Sequence, residues 1–303
     1  MNTVEILNVT KSFGDHIAVN DLSLTVPQGS IYGFIGPNGS GKTTSLRMIM
    51  RILHPDRGVI RVLGEEATKA ASDRVGYLPE ERGLYKKMKV RACLRFYAEL
   101  KGCRDHKAAI DDWLERMGLT AWADKRVEAL SKGMAQKVQF IATVIARPEL
   151  VLLDEPFSGL DPVNMEVLRQ AVLDLKRDGT TVIFSTHDMA VAEKMCDFIF
   201  MIYKGKKVLD GTLDSIQSTY GTDTCRVRLE GEGASLIGLP GVLKVTDFGK
   251  WQELRLERDT DTRNVLTALM ARGTVRHFEQ AQPSLHDIFV RIAGPELQEN
   301  GDA

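Results

Sequence analysis

Cysteine is scarce: four thiols, at positions 93, 103, 196 and 225, are scattered through 303 residues with no C-x-x-C pair. That spacing suits reduced thiols better than a disulfide framework or a zinc site. No apolar run approaches the ~20 residues that a transmembrane helix requires. The opening residues Met1-Asn2-Thr3-Val4-Glu5 hold neither a basic segment nor an apolar stretch, so secretion is not expected. The formal net charge of −1 leaves no basic excess to attract nucleic acid, and no basic stripe with interleaved aromatics stands out. No internal repeat is found. These absences predict a soluble, cytoplasmic chain without a nucleic-acid partner. The length predicts roughly two domains with ample chain for a core. The hydrophobic and charged fractions, 43% and 27%, are those of ordinary folded proteins.

What is present begins with Gly36-Pro37-Asn38-Gly39-Ser40-Gly41-Lys42-Thr43-Thr44. The pattern G-x-x-x-x-G-K-[ST] places Gly36, Gly41, Lys42 and Thr43 in the defining positions of a phosphate-binding loop. Glycines without Cβ let backbone N–H groups turn inward around a polyphosphate. Lys42 brings charge to the β/γ-phosphates, and the Thr43 hydroxyl can ligate Mg²⁺. The apolar stretch Ser30–Ile35 predicts a strand before the loop. Apolar spacing at Leu46, Ile49, Met50 and Leu53 predicts a helix after it, running to His54-Pro55. Bound phosphates then face a helix N-terminus.

Along the chain, strands are predicted at Val4–Val9, Leu22–Val26, Gly58–Gly64 and Val75–Pro79, with Lys11–Asp15 as a turn carrying Phe13. From Lys89 to Arg126 the pattern is helical, with Val90, Leu94, Tyr97, Ala98, Ile110, Trp113, Leu114 and Met117 at apolar positions and a break at 102–107. This is an expected helical insertion, about 84–134. Helices follow at Ala135–Arg147, after Asp161-Pro162, and at Met189–Met195. Leu150–Leu153 is a continuous apolar run, as in a parallel strand buried on both faces. Strands Thr181–Thr186, Phe198–Tyr203 and Lys206–Leu209 complete an α/β alternation that argues a mainly parallel sheet. After Tyr220 the grammar changes. Short strands at Cys225–Leu229, Leu243–Asp247, Leu254–Leu256 and Thr274–Glu279 and a helix at Thr262–Arg272 predict a small α+β domain. The expected division is 1–221, 222–293 and a polar, disordered tail at 294–303.

A phosphate loop alone permits kinases, GTPases, motors and transport ATPases. Later motifs separate them. Asp154 ends an apolar strand, the arrangement that holds Mg²⁺ beside such a loop, and Glu155 is placed to polarise water as a general base.

The ordered series Phe13, the phosphate loop, Tyr77-Leu78-Pro79-Glu80, a helical insertion, Leu130-Ser131-Lys132-Gly133-Met134, Leu152-Leu153-Asp154-Glu155-Pro156, Ser158-Gly159-Leu160-Asp161 and Ser185-Thr186-His187 resembles the ATP-binding subunit of ABC transporters over residues 1–220. The resemblance implies an α/β P-loop NTPase (RecA-like) sheet core, an antiparallel β-subdomain and ATP with Mg²⁺ as cofactors. It implies nucleotide binding by Phe13 and by Gly36, Pro37, Asn38, Gly39, Ser40, Gly41, Lys42, Thr43 and Thr44, with Phe13 stacked on adenine; a buried core side chain is the alternative reading of Phe13. Catalysis falls to Lys42, Glu155 and His187, and Mg²⁺ contact to Thr43, Glu80 and Asp154. Ser131 and Gly133 would contact ATP held by a second ATP-binding subunit, and Asp161 would lie in that dimer interface. The partners implied are that second subunit and a separate transmembrane permease, with the chain peripheral on the inner face of the cell membrane.

Glu80 replaces the family's usual glutamine, and Lys132 and Met134 replace the second residue of a glycine pair and a glutamine. The segments Gly76–Tyr85, Leu130–Gly133 and Pro156–Pro162, with Pro283–Phe289, look like the sodium-extrusion-like, ABC-2 export branch, whose members often carry a small C-terminal domain. The expected function is ATP hydrolysis that powers export. A non-transport ABC-type ATPase acting on nucleic acid or ribosomes is the alternative. The C-terminal domain reads either as a regulatory module or as a packed extension, and no substrate is legible.

Overall fold

Five strands of one sheet run parallel because the segments joining them are long enough to return across a sheet face, mostly through helices. The computed structural model describes residues 1–66, 73–81, 83–221, 223–230, 236, 238–257 and 260–299. They fall into two compact units, residues 1–212 and the chain from Leu213 onward.

In the first unit the strands are β1 (Asn2–Phe13), β2 (His16–Pro27), β3 (Ile31–Ile35), β4 (Arg57–Val62), β5 (Val75–Leu78), β6 (Leu150–Asp154), β7 (Thr181–Thr186), β8 (Phe198–Tyr203) and β9 (Lys206–Gly211). The helices are α1 (Lys42–Ile49), α2 (Val90–Leu100), α3 (Lys107–Arg116), α4 (Lys132–Val144), α5 (Pro162–Arg177) and α6 (Met189–Met195). The main sheet has the order β5-β6-β7-β3-β8-β9, parallel except for the β8–β9 hairpin. Every residue of β3, β6 and β7 is buried. Their side chains alternate between two cores. Val151, Leu153, Val182 and Phe184 join the helical insertion and α5. Leu150, Leu152, Ile183, Tyr32 and Phe34 join α1 and a second, antiparallel sheet of order β2-β1-β4. This is the P-loop NTPase architecture with its β-subdomain. The predicted apolar positions of the insertion, Val90 to Met117, all pack in the first core.

Two helices begin or end elsewhere than periodicity predicts. α1 stops at Ile49, short of Leu53, because Arg51 takes a left-handed φ of 57°. The Ile52 and Leu53 N–H groups then fold back to the Arg47 carbonyl and satisfy the helix end. α4 starts at Lys132 rather than Ala135, since the Ser131 hydroxyl caps it by accepting from the Met134 N–H.

The second unit contains α7 (Leu213–Tyr220), β10 (Thr224–Glu230), β11 (Val242–Asp247), β12 (Gln252–Leu256), α8 (Thr262–Met270), β13 (Thr274–Ala281) and α9 (Leu285–Glu299). Its antiparallel sheet has the order β11-β12-β10-β13. Cys225, Val227, Leu254 and Leu256 meet Val265 and Leu269 of α8 in its core. α7 lies before the boundary expected at 221, yet it belongs to this unit. Its Gln217 donates to the Pro283 carbonyl, and Arg291 of α9 donates to the Tyr220 carbonyl. α9 runs on past Gly294, where the tail is expected to begin, to Glu299. Its start carries a reciprocal cap: the Ser284 hydroxyl accepts from the Asp287 N–H while the Asp287 carboxylate accepts from the Ser284 N–H. Residues 300–303 lie outside the described residues. No described helix is long and apolar enough to cross a membrane.

Candidate active site at the phosphate loop

The loop between β3 and α1 takes a backbone path that only glycine follows without strain. Gly36, Gly39 and Gly41 have φ of 156°, 77° and 111°. A Cβ on Gly36 would stand 2.2 Å from the Ile202 carbonyl oxygen, and one on Gly41 would stand 2.5 Å from that of Ala18. Lys42, the first residue of α1, is buried, and its ammonium donates to the Gly36 and Pro37 carbonyls at 2.8 and 3.1 Å. Burial pushes the Lys42 ammonium below the usual lysine range, against the pull of the Glu155, Asp154 and Glu80 carboxylates. Its Nζ lies 3.7 Å from Glu155 Oε1.

Parallel register brings the acidic end of β6 to the same place. Thr43 Oγ1 donates to Asp154 Oδ1 at 3.1 Å, and Ser185 Oγ of β7 donates to the same oxygen at 2.6 Å. Ser185 Oγ also accepts from the Glu155 N–H at 3.0 Å. Glu155 has a left-handed φ of 48°, costly for a residue with a side chain, and this bond helps to hold it there. The turn sends its carboxylate toward His187, whose Nδ1 is 3.0 Å from Glu155 Oε1. His187 follows the end of β7 directly, and its side chain is 54% exposed.

A cleft of about 490 Å³ opens at Lys42, Thr43 and Glu155; Asp154 and His187 reach it through their contacts with Thr43 and Glu155 and do not line it. Phe13, Asn38, Gly39, Gly41, Lys42, Thr43, Thr44, Glu80 and Glu155 line it, with His16 and Ala18. Phe13 is 48% exposed at the end of β1, so it is no core side chain. Two larger grooves flank Arg116, and neither touches the phosphate loop.

The donor set fits Mg²⁺. Asp154 Oδ2 is buried with no hydrogen-bond partner, beside the Thr43 hydroxyl, and Glu80 lines the cleft that Thr43 also lines. No group of three His, Cys, Asp or Glu side chains gathers among the described residues. Mg²⁺ characteristically takes one or two carboxylates and completes its shell with water and substrate phosphates.

Ser131, Gly133 and Asp161 line no part of this cleft and share another corner. Asp161 caps α5 by accepting from the Val163 and Asn164 N–H groups. A Cβ on Gly133 would stand 3.2 Å from Asn164 Nδ2, which itself donates to Asp161.

Several residues at the site carry no role that their sequence pattern assigned. His16 and Ala18 reach the cleft only through the β1–β2 hairpin. Ser185 had a signal, as a polar residue following the apolar run Val182-Ile183-Phe184. Gln136 and Gln139 of α4 are buried and donate to the backbone next to Glu155 and Glu80; nothing in their spacing marks them.

A glycine cradle between a central parallel strand and a helix, with the acidic end of a strand one removed in the sheet, defines a P-loop nucleoside triphosphatase. The ABC transporter family model matches residues 19–158, and the model for the ATP-binding protein DrrA1-3-like, C-terminal domain matches residues 211–293. A model described as AAA domain, putative AbiEii toxin, Type IV TA system matches residues 124–193. The uncharacterized ABC transporter ATP-binding protein YhaQ of Bacillus subtilis is 41% identical over 95% of this chain and 97% of its own length. The Nod factor export ATP-binding protein I of Rhizobium sp. is 33% identical over 97% and 98%. A solved structure of the ATP-binding subunit of an ABC transporter superposes with a TM-score of 0.68 at 28% identity, covering 72% of this chain and 93% of that one. The chain belongs to the ABC transporter ATP-binding proteins and carries a DrrA-like C-terminal domain. It binds ATP and is an ATPase of that family.

Proposed function

We propose that this subunit hydrolyses ATP within a head-to-tail pair of ATP-binding subunits and drives export through a separate membrane permease, on whose cytoplasmic side it sits. The observation that carries the pairing is the separation of Ser131 and Gly133 from the cleft lined by Lys42 and Glu155. One chain holds one phosphate cradle and one Leu-Ser-x-Gly segment, in different places, so a second copy brings the two together. The Nod factor export relatives favour the outward direction.

In this reading Phe13 stacks on the base, and the N–H groups of Gly36 to Thr44 cradle the phosphates at the N-terminus of α1. Lys42 exchanges its two carbonyl contacts for the γ-phosphate. Thr43, Asp154 and Glu80 hold Mg²⁺, which when bound would neutralise charge on the β- and γ-phosphates. Glu155 takes the proton from the attacking water, and His187, already against Glu155, orients that water toward the γ-phosphate. Asp161 lies at the pair interface.

The test is Glu155→Gln, which removes the base and keeps the side-chain shape. Turnover is expected to fall about 10²- to 10⁴-fold while ATP binding persists. With ATP the variant should elute as a dimer in size-exclusion chromatography. Turnover at the unaltered rate removes Glu155 from this role.

A further inference from the structure

We propose that Gln139 is the positioning residue for Glu80, tying the metal-facing segment to the helix that carries Ser131 and Gly133. This rests on the reading of Glu80 as a group that acts in the cleft.

Gln139 is 5% exposed on α4, with Val138, Phe140 and Ile141 of the first core around it in the chain. Its Nε2 donates to the Pro79 carbonyl at 3.3 Å and to the Glu81 carbonyl at 3.2 Å. Those residues flank Glu80. One amide nitrogen therefore grips both sides of the residue whose carboxylate lines the cleft. The Gln139 Oε1 is buried without a partner. A half-satisfied amide in a core costs stability, and a side chain that only filled space there would be apolar. The clamp accounts for the polarity.

Neighbouring contacts make the grip rigid. Gly76 lets β5 approach α4 so closely that a Cβ would stand 2.7 Å from the Thr143 carbonyl oxygen. Gln136, one turn before Gln139, donates to the Pro156 carbonyl at 3.2 Å, directly after Glu155. α4 thus holds the exits of both β5 and β6, and its N-terminal cap is Ser131. A displacement at that cap reaches Glu80 through a stiff helix rather than through a loop.

The experiment is a double-mutant cycle on the full chain, with Gln139→Met, Glu80→Ala and the double variant. Steady-state ATPase is measured against ATP and free Mg²⁺, and binding of a fluorescent ATP analogue is titrated separately. Gln139→Met keeps volume and loses the donor. It is expected to lower kcat about 10-fold and raise the half-saturating Mg²⁺, as orienting partners of metal ligands do, with analogue affinity within about 2-fold. In the Glu80→Ala background it should add nothing, because its effect runs through Glu80. Unchanged kcat in Gln139→Met, or a loss that adds fully to that of Glu80→Ala, overturns the proposal while the Glu80 reading stands. Wild-type turnover in Glu80→Ala overturns that reading, and the proposal with it. If Gln139→Met does not fold, Gln139→Asn, too short to span both carbonyls, is read in the same cycle.

Discussion

Ser185→Ala removes one oxygen from the most connected point of the site. Ser185 is fully buried, donates to Asp154 at 2.6 Å and accepts from the Glu155 N–H at 3.0 Å. Losing a bond to a charged acceptor costs about 1.5–3 kcal/mol, and stranding a buried N–H costs about 1–3 kcal/mol. The two losses share one atom, so they do not simply add, and about 3 kcal/mol is expected. With a urea slope of about 2 kcal/mol/M for a unit of this size, the midpoint should fall by about 1.5 M. The tryptophans divide the readout. Trp113 and Trp122 lie in the first unit and Trp251 in the second. A Trp251→Phe background therefore reports residues 1–212 alone. kcat should drop at least about 10-fold, since Asp154 and Glu155 lose a shared anchor. A midpoint shift below about 0.3 M would refute the assignment, because neither bond would then contribute in the way their burial implies.

Other perturbations separate local causes. Gly41→Ala places a Cβ 2.5 Å from the Ala18 carbonyl at a φ of 111°, whereas at Gly39 a Cβ meets nothing within 4 Å. In a fluorescent-nucleotide titration Gly41→Ala should abolish ATP binding, while Gly39→Ala should retain it at a conformational cost of about 1–2 kcal/mol. Equal loss in both would place the glycine requirement elsewhere. Burial pushes the Cys225 thiol from 9.0 up to about 11, because an apolar core disfavours the thiolate. Its ionised fraction at pH 8 is then about 100-fold lower than for an unperturbed thiol, and it grows only as pH climbs toward 11. Iodoacetamide with mass mapping should label the less buried Cys103 first, and comparable early labelling of Cys225 would contradict its environment.

The phosphate loop, the acidic end of β6 and the parallel sheet were legible in the chain because each rests on local rules. Glycine follows backbone paths that clash for other residues, and a strand buried on both faces must be apolar throughout. Element bounds departed from the apolar periodicity where a local turn or cap overrode it: Arg51 ends α1 and Ser131 starts α4 early, while the Ser284–Asp287 cap starts a helix that periodicity did not mark. Tertiary structure alone decided which side chains meet. Ser185, distant in sequence from Asp154, comes within hydrogen-bond reach because β6 and β7 pair in one register. Gln139 reaches both neighbours of Glu80 because α4 packs closely on β5. Local patterns and the ordered motif series were enough to mark a triphosphate-binding loop and to single out Asp154, Glu155 and Glu80 as its candidate carboxylates. Only the packed chain decided what holds those carboxylates in place, because positioning depends on contacts between distant residues that no spacing pattern encodes.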